Sequence, residues 1–175
     1  MPAKAVSPLT HPVPVDRLPA LGTEVTVEAS EAERAALAQD FGIPAIKVLT
    51  GRFRVKALPG GQGVKVTGRV RGEVTQICVV TLDPFDGALD EEVDVDFVPA
   101  GDPRRRPDPA PDDEEQDAPD EIVDGRIDLG ALTAEFLALG LDPYPRKPGV
   151  DFVQEAGPAL ESPFAALAKL KGEGS

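Results

Sequence analysis

Six cationic side chains fall into two short alternating runs. Arg52, Arg54 and Lys56 alternate with Phe53, Val55 and Ala57, and Lys65, Arg69 and Arg71 follow among Val64, Val66 and Val70. A period of two puts residues of one parity on one face of a strand. If Phe53 and the valines point inward, all six cations share one outer surface. Such a surface could neutralise several phosphates, with an affinity that falls as salt rises. No aromatic residue is interleaved, so contact with a nucleic-acid backbone fits better than base stacking. Arg52, Arg54, Lys56, Lys65, Arg69 and Arg71 are therefore the candidate nucleic-acid-binding residues. The plainer alternative is a solvated sheet face whose cations are answered by the protein's own carboxylates.

Other chemistry finds little support. One histidine, His11, and one cysteine, Cys78, do not make a zinc cage of the usual kinds. The lone cysteine excludes an intramolecular disulfide framework. Cys78 sits beside Val80 on an apolar parity with no neighbouring base, which reads as a buried inert thiol rather than a nucleophile. The carboxylates Glu91, Glu92, Asp94 and Asp96 and the acidic run over 112–121 could mimic nucleic acid or shield the basic face. As linker charge they would simply keep the chain soluble. A disordered run does not preorganise a general acid and base. Glu135, on the rim of an apolar helical stripe, is placed either to touch a sheet cation or to face water. No catalytic, cofactor or metal site is expected.

The 175 residues suit one domain with a single core, 41% of them hydrophobic and 28% charged. No apolar run is long enough to span a bilayer. The start, MPAKAVSPLTHPVPV, has no apolar h-region, which predicts no secretory signal. The net charge of −13 argues against nucleic acid if it is spread evenly. It is not even. Residues 41–82 carry 7 basic and 1 acidic side chains, whereas 83–128 carry 4 basic and 18 acidic. Such asymmetry points toward partners.

The elements that would position these groups follow the hydrophobic periods. Pro12 and Pro14 confine the first strand to a sheet border. Thr23 to Glu28 alternates as a half-buried strand. Ser30-Glu31-Ala32-Glu33 fits a capping box, and Gly42 with Pro44 stops the helix, predicting one over about 31–40. The two basic runs flank Gly60-Gly61-Gln62-Gly63 and read as a β-hairpin, with Gly68 and Gly72 as bulge or bend points. The second strand's even face continues through Val74, Cys78 and Val80, and Asp83-Pro84-Phe85-Asp86-Gly87 reads as a turn. Val93, Val95 and Phe97 form a further strand closed by Pro99. Residues 101–121 are acidic, proline-rich and without large apolar side chains, which predicts a disordered linker. Asp128 caps a second helix with the stripe Leu129, Leu132, Phe136 and Leu139, ended by Gly140. Ser162-Pro163 opens a short amphipathic segment to Leu170. The order gives an α+β fold: a mainly antiparallel sheet, open or curled into a partial barrel, flanked by two or three helices.

Several of these runs together resemble one family. Val64-Lys65-Val66-Thr67-Gly68 followed by Val74-Thr75-Gln76-Ile77-Cys78-Val79-Val80-Thr81-Leu82-Asp83-Pro84-Phe85 resembles the central signature of the YceD family of large-ribosomal-RNA accumulation proteins. The acidic gap and the helix from Ile127 to Leu139 resemble its second signature. Leu141-Asp142-Pro143-Tyr144-Pro145 matches the exit that follows, and Ser162 to Lys171 resembles the closing motif. The resemblance covers about residues 10–171 and implies a single YceD-like domain over 1–175. Many members carry Cys-x-x-Cys where this chain has Cys78 and Thr81, so a zinc or redox role of cysteine-rich members does not carry over. The Cys-Val-Val-Thr-Leu form resembles the α-proteobacterial branch.

The resemblance implies a non-enzymatic, cytoplasmic ribosome-biogenesis factor that supports synthesis, processing or stability of 23S ribosomal RNA. Its expected partner is 23S rRNA or a large-subunit precursor, met through the basic hairpin. Neither a membrane nor a small-molecule substrate is expected. The rival expectation is an acidic adaptor or chaperone that holds a basic ribosomal protein.

Overall fold

The computed structural model describes residues 7–16, 18–19, 21–61, 63–104 and 119–150. Five strands form one sheet in the order β2 (Thr23–Glu28), β3 (Ala45–Ala57), β4 (Val64–Ile77), β5 (Pro84–Pro99) and β6 (Asp120–Ile122). β2 to β5 are antiparallel neighbours, and β6 joins β5 in parallel. A separate ribbon pairs β1 (Pro12–Pro14) with β7 (Arg126–Asp128). Two helices, α1 (Glu31–Asp40) and α2 (Leu129–Gly140), complete an α+β fold. The sheet is open; it does not close into a barrel.

Alternation decides which sheet face is covered. Val27, Phe53, Val55, Val64, Val66, Val70, Val74, Val93 and Phe97 all point inward and join Leu37, Leu129, Leu132 and Leu137 in one buried cluster. Burying a side chain of this size stabilises by roughly 1.5–3 kcal/mol, so the inward face fixes the register of every strand. The β3–β4 connection turns through a short 3-10 segment, Pro59–Gly61, with Gly60 at φ 74. The Leu58 N–H then bonds the Gly63 carbonyl.

α1 begins at the expected box. The Ser30 N–H bonds the Glu33 carboxylate at 2.7 Å, and the Glu33 N–H bonds Ser30 Oγ at 3.4 Å. At the start of α2, Asp128 Oδ1 accepts from the Gly130 and Ala131 amides at 2.9 and 3.1 Å. The same oxygen accepts from the His11 amide at 2.7 Å, which ties β1 to the helix. Within α2 the buried Thr133 hydroxyl donates to the Leu129 carbonyl at 2.6 Å, so it leaves no unsatisfied polar atom.

Four local expectations change. The register runs unbroken through Gly68 and Gly72, and the irregularity lies instead between Ile46 and Val48. Gly68 serves close approach: a Cβ there would meet the Arg52 carbonyl oxygen at 2.1 Å. The β4–β5 turn is residues 78–83 rather than 83–87, because Cys78 N bonds Asp83 O and Leu82 N bonds Cys78 O, both at 2.9 Å. Asp86 and Gly87 are consequently strand residues. In α2 the buried stripe passes through Leu137, while Leu139 is exposed, since Leu137 lies on the Thr133 side that faces the sheet. Asp120 and Glu121, expected at the end of a linker, belong to β6. Most of that linker, 105–118, and the helix expected near 162–170 lie outside the described residues.

Candidate nucleic-acid interface

The β3–β4 hairpin brings the six candidate cations together on the solvent face of the sheet. Phe53, Val55, Val64, Val66 and Val70 are buried, so their neighbours of opposite parity must point out. The register places Arg52 opposite Arg69 and Lys56 opposite Lys65, with Arg54 opposite Thr67 and Arg71 opposite Thr50. Like charges directly opposite each other destabilise a sheet by a fraction of a kcal/mol to about 1 kcal/mol per pair. Two such pairs therefore lie along this face, the Lys56–Lys65 pair beside the hairpin turn.

Carboxylates border the stripe on both sides. On one side Glu24 of β2 stands opposite Arg54 and bonds it at 3.0 Å. On the other, β5 sets Asp90, Glu92, Asp94 and Asp96 against Arg71, Arg69, Thr67 and Lys65. Asp90 pairs with Arg69 and Arg71 at 3.1 and 3.0 Å. Lys65 reaches Asp94 at 2.6 Å and Asp96 at 3.4 Å. The hydrogen bond that Lys65 donates to Asp94, aided by Asp96, holds the ammonium above its ordinary pKa against a small desolvation effect. Every partner in these pairs stays well exposed, from 38% to 78%. Such surface pairs are worth about 0–1 kcal/mol each and yield to a competing anion. Arg52 and Lys56 make no ion pair among the described residues.

Lys47 extends the stripe and escaped the alternation. The irregularity between Ile46 and Val48 breaks the period of two, and Lys47 pairs with Asp86. That hydrogen bond, with a second from Thr75 at 2.7 Å, holds Asp86 below the usual carboxylate range.

Cys78 is fully shielded but stands apart from the main apolar cluster, under the segment Pro145–Lys147. The Lys147 amide donates to its sulfur at 3.4 Å. That bond and others from the Thr81 amide and hydroxyl bring the thiol down to about 7, against burial, which pushes it up. No base approaches it among these contacts. Glu135 is exposed on α2.

The concavities are shallow. One of about 170 Å³ lies between the β4–β5 end and Gly140–Arg146, and one of about 460 Å³ lies beside α1. Neither gathers a convergent acid–base pair. No cluster of three or more potential metal ligands occurs among the described residues. No helix among them is long and apolar enough to cross a membrane. What the geometry can do is present a cationic stripe, flanked by displaceable carboxylates, to an extended polyanion.

The family described as "Large ribosomal RNA subunit accumulation protein YceD" matches over residues 66–171. That span takes in β4 from Val66 onward, with β5, β6, β7 and α2. No curated protein and no solved structure matches.

Proposed function

The chain belongs to the YceD family, and from that premise we propose that it supports accumulation of large-subunit ribosomal RNA as a non-enzymatic, cytoplasmic factor that binds rRNA or a large-subunit precursor through the β3–β4 face. The family description gives the role in large-subunit RNA; the binding surface is our reading. One observation carries it. Arg52 faces Arg69, and Lys56 faces Lys65, across the central strand pair. Asp90, Asp94 and Asp96 answer one member of each pair, Arg69 and Lys65, and a phosphate backbone lying along the hairpin would answer the other members, Arg52 and Lys56, which make no ion pair among the described residues. The neighbouring acids are exposed and weakly paired, so phosphates can displace them.

The test is RNA binding by the wild type and by a variant with Arg52, Arg54, Lys65, Arg69 and Arg71 reversed to Glu. Precursor 23S rRNA fragments are titrated at several salt concentrations. The wild type binds with an affinity that falls with salt, and the reversed variant loses most of it. A variant lacking 105–118, which spares β6, keeps it. An acidic adaptor for a basic ribosomal protein shows the reverse sensitivity, and that result would replace our reading.

A further inference from the structure

Among the described residues β5 presents a long free edge. It runs from Pro84 to Pro99, yet β6 pairs only with Phe97, Val98 and Pro99. Over 84–96 no described strand lies on the side away from β4. In an antiparallel pair every second residue turns its N–H and C=O away from the partner. No backbone hydrogen bond from another described segment takes up those groups over 86–96. The edge is thus a template for one more strand.

The side chains along it have a single sign. Asp86, Asp90, Glu92, Asp94 and Asp96 project from the solvent face of β5, and Glu91 from its inner face. No lysine or arginine lies between Pro84 and Pro99. A single sign of charge makes that template selective. It repels a second β5, which would set carboxylate against carboxylate, and it attracts a strand bearing cations.

We propose that the free β5 edge, Pro84–Asp96, binds a lysine- or arginine-rich extended segment of a partner protein by strand addition. Main-chain bonds to the edge would give affinity, and the acids would select cations at alternate positions. This surface is distinct from the β3–β4 stripe, and the inference stands whether or not the stripe binds RNA. The two meet at Asp90, Asp94 and Asp96, which restrain the stripe's cations. A cationic strand that engages those three acids would release Lys65, Arg69 and Arg71.

The test uses the full-length protein and a labelled peptide that alternates lysine with valine and spans the length of the edge. A second peptide carries the same charges with alternate amides N-methylated, which removes the ladder donors. Binding is followed by anisotropy, and amide hydrogen exchange is read along β5. We expect salt-sensitive binding, slowed exchange at alternate β5 amides, and at least a tenfold loss on N-methylation. The variant Asp90→Asn/Asp94→Asn/Asp96→Asn should bind the peptide roughly tenfold more weakly. Equal binding of the methylated peptide would overturn the proposal in favour of charge attraction alone. Fast exchange of the β5 amides in the bound state would overturn it too. So would slow exchange of those amides in the free protein, because a segment of the chain itself, or a second copy, would then already fill the edge.

Discussion

Removing the stripe's internal restraints should strengthen RNA binding. The perturbation is Asp90→Asn, Asp94→Asn and Asp96→Asn together. These carboxylates make four ion-pair contacts, from Asp90 to Arg69 and Arg71 and from Asp94 and Asp96 to Lys65. In the wild type a phosphate that takes one of these cations must first displace a carboxylate, and the freed carboxylate recruits counterions. Little net counterion release follows from the paired cations. Arg52 and Lys56 then dominate the salt dependence, which gives a slope of about 1.4 in log affinity against log salt at ~0.7 per single-strand phosphate. In the variant Lys65, Arg69 and Arg71 join them, and the slope should steepen toward about 3.5. Each exposed pair contributes roughly 0.2–1 kcal/mol, so the variant should gain about 1–2 kcal/mol, or roughly 5- to 30-fold, in affinity near 0.1 M salt. Anisotropy with a labelled precursor fragment over a salt series measures both quantities. The fold should lose only about 1 kcal/mol, since Asp90 and Asp94 are exposed and Asp96 is only half-buried. An unchanged slope and affinity in a folded variant would refute the placement of RNA on the stripe.

Three further outcomes check the fold around it. Asp128→Ala removes the acceptor of three backbone amides, those of His11, Gly130 and Ala131, and should cost about 2 kcal/mol in urea unfolding, while Asp128→Asn keeps a carbonyl acceptor and costs less. Gly68→Ala places a Cβ 2.1 Å from the Arg52 carbonyl and should destabilise by roughly 2–3 kcal/mol, whereas Gly87→Ala, with nothing within 4 Å, should be near neutral; equal effects would contradict the close approach of β3 and β4. The Cys78 thiol lies below its ordinary value of 9.0, at about 7. A depressed acid contributes stability that is full above its unfolded pKa and is lost as pH falls through its folded one. The stability advantage of wild type over Cys78→Ala should therefore shrink as pH falls from above 9 to below 7, and a pH-independent difference would contradict the amide bonds to the sulfur.

The basic face was legible because its parity is strict: Phe53, Val55, Val64, Val66 and Val70 leave their neighbours only one direction. Pairing partners were not legible, because they depend on the β4–β5 register. Asp83-Pro84 and Gly87 carry turn chemistry, yet the chain turns earlier, through Cys78–Asp83, with Leu82 at φ 61. A leucine in the left-handed region gives no local signal. Moving that turn sets Asp90 beside Arg69 and Arg71. Lys47 was hidden by the break in alternation between Ile46 and Val48. β6 was hidden by its length and polarity, since three residues, Asp120–Ile122, inside an acidic run satisfy no hydrophobic period. The free edge of β5 is a matter of topology and has no sequence signature at all.

The most direct test of the central claim is ultraviolet cross-linking of the tagged protein in its native cells, with sequencing of the attached RNA. The variant with Arg52, Arg54, Lys65, Arg69 and Arg71 reversed to Glu is run in parallel. Reads concentrated on 23S precursor with the wild type, and lost with the variant, are the predicted result. Background reads from both proteins, or equal 23S reads from both, would contradict binding through the β3–β4 face.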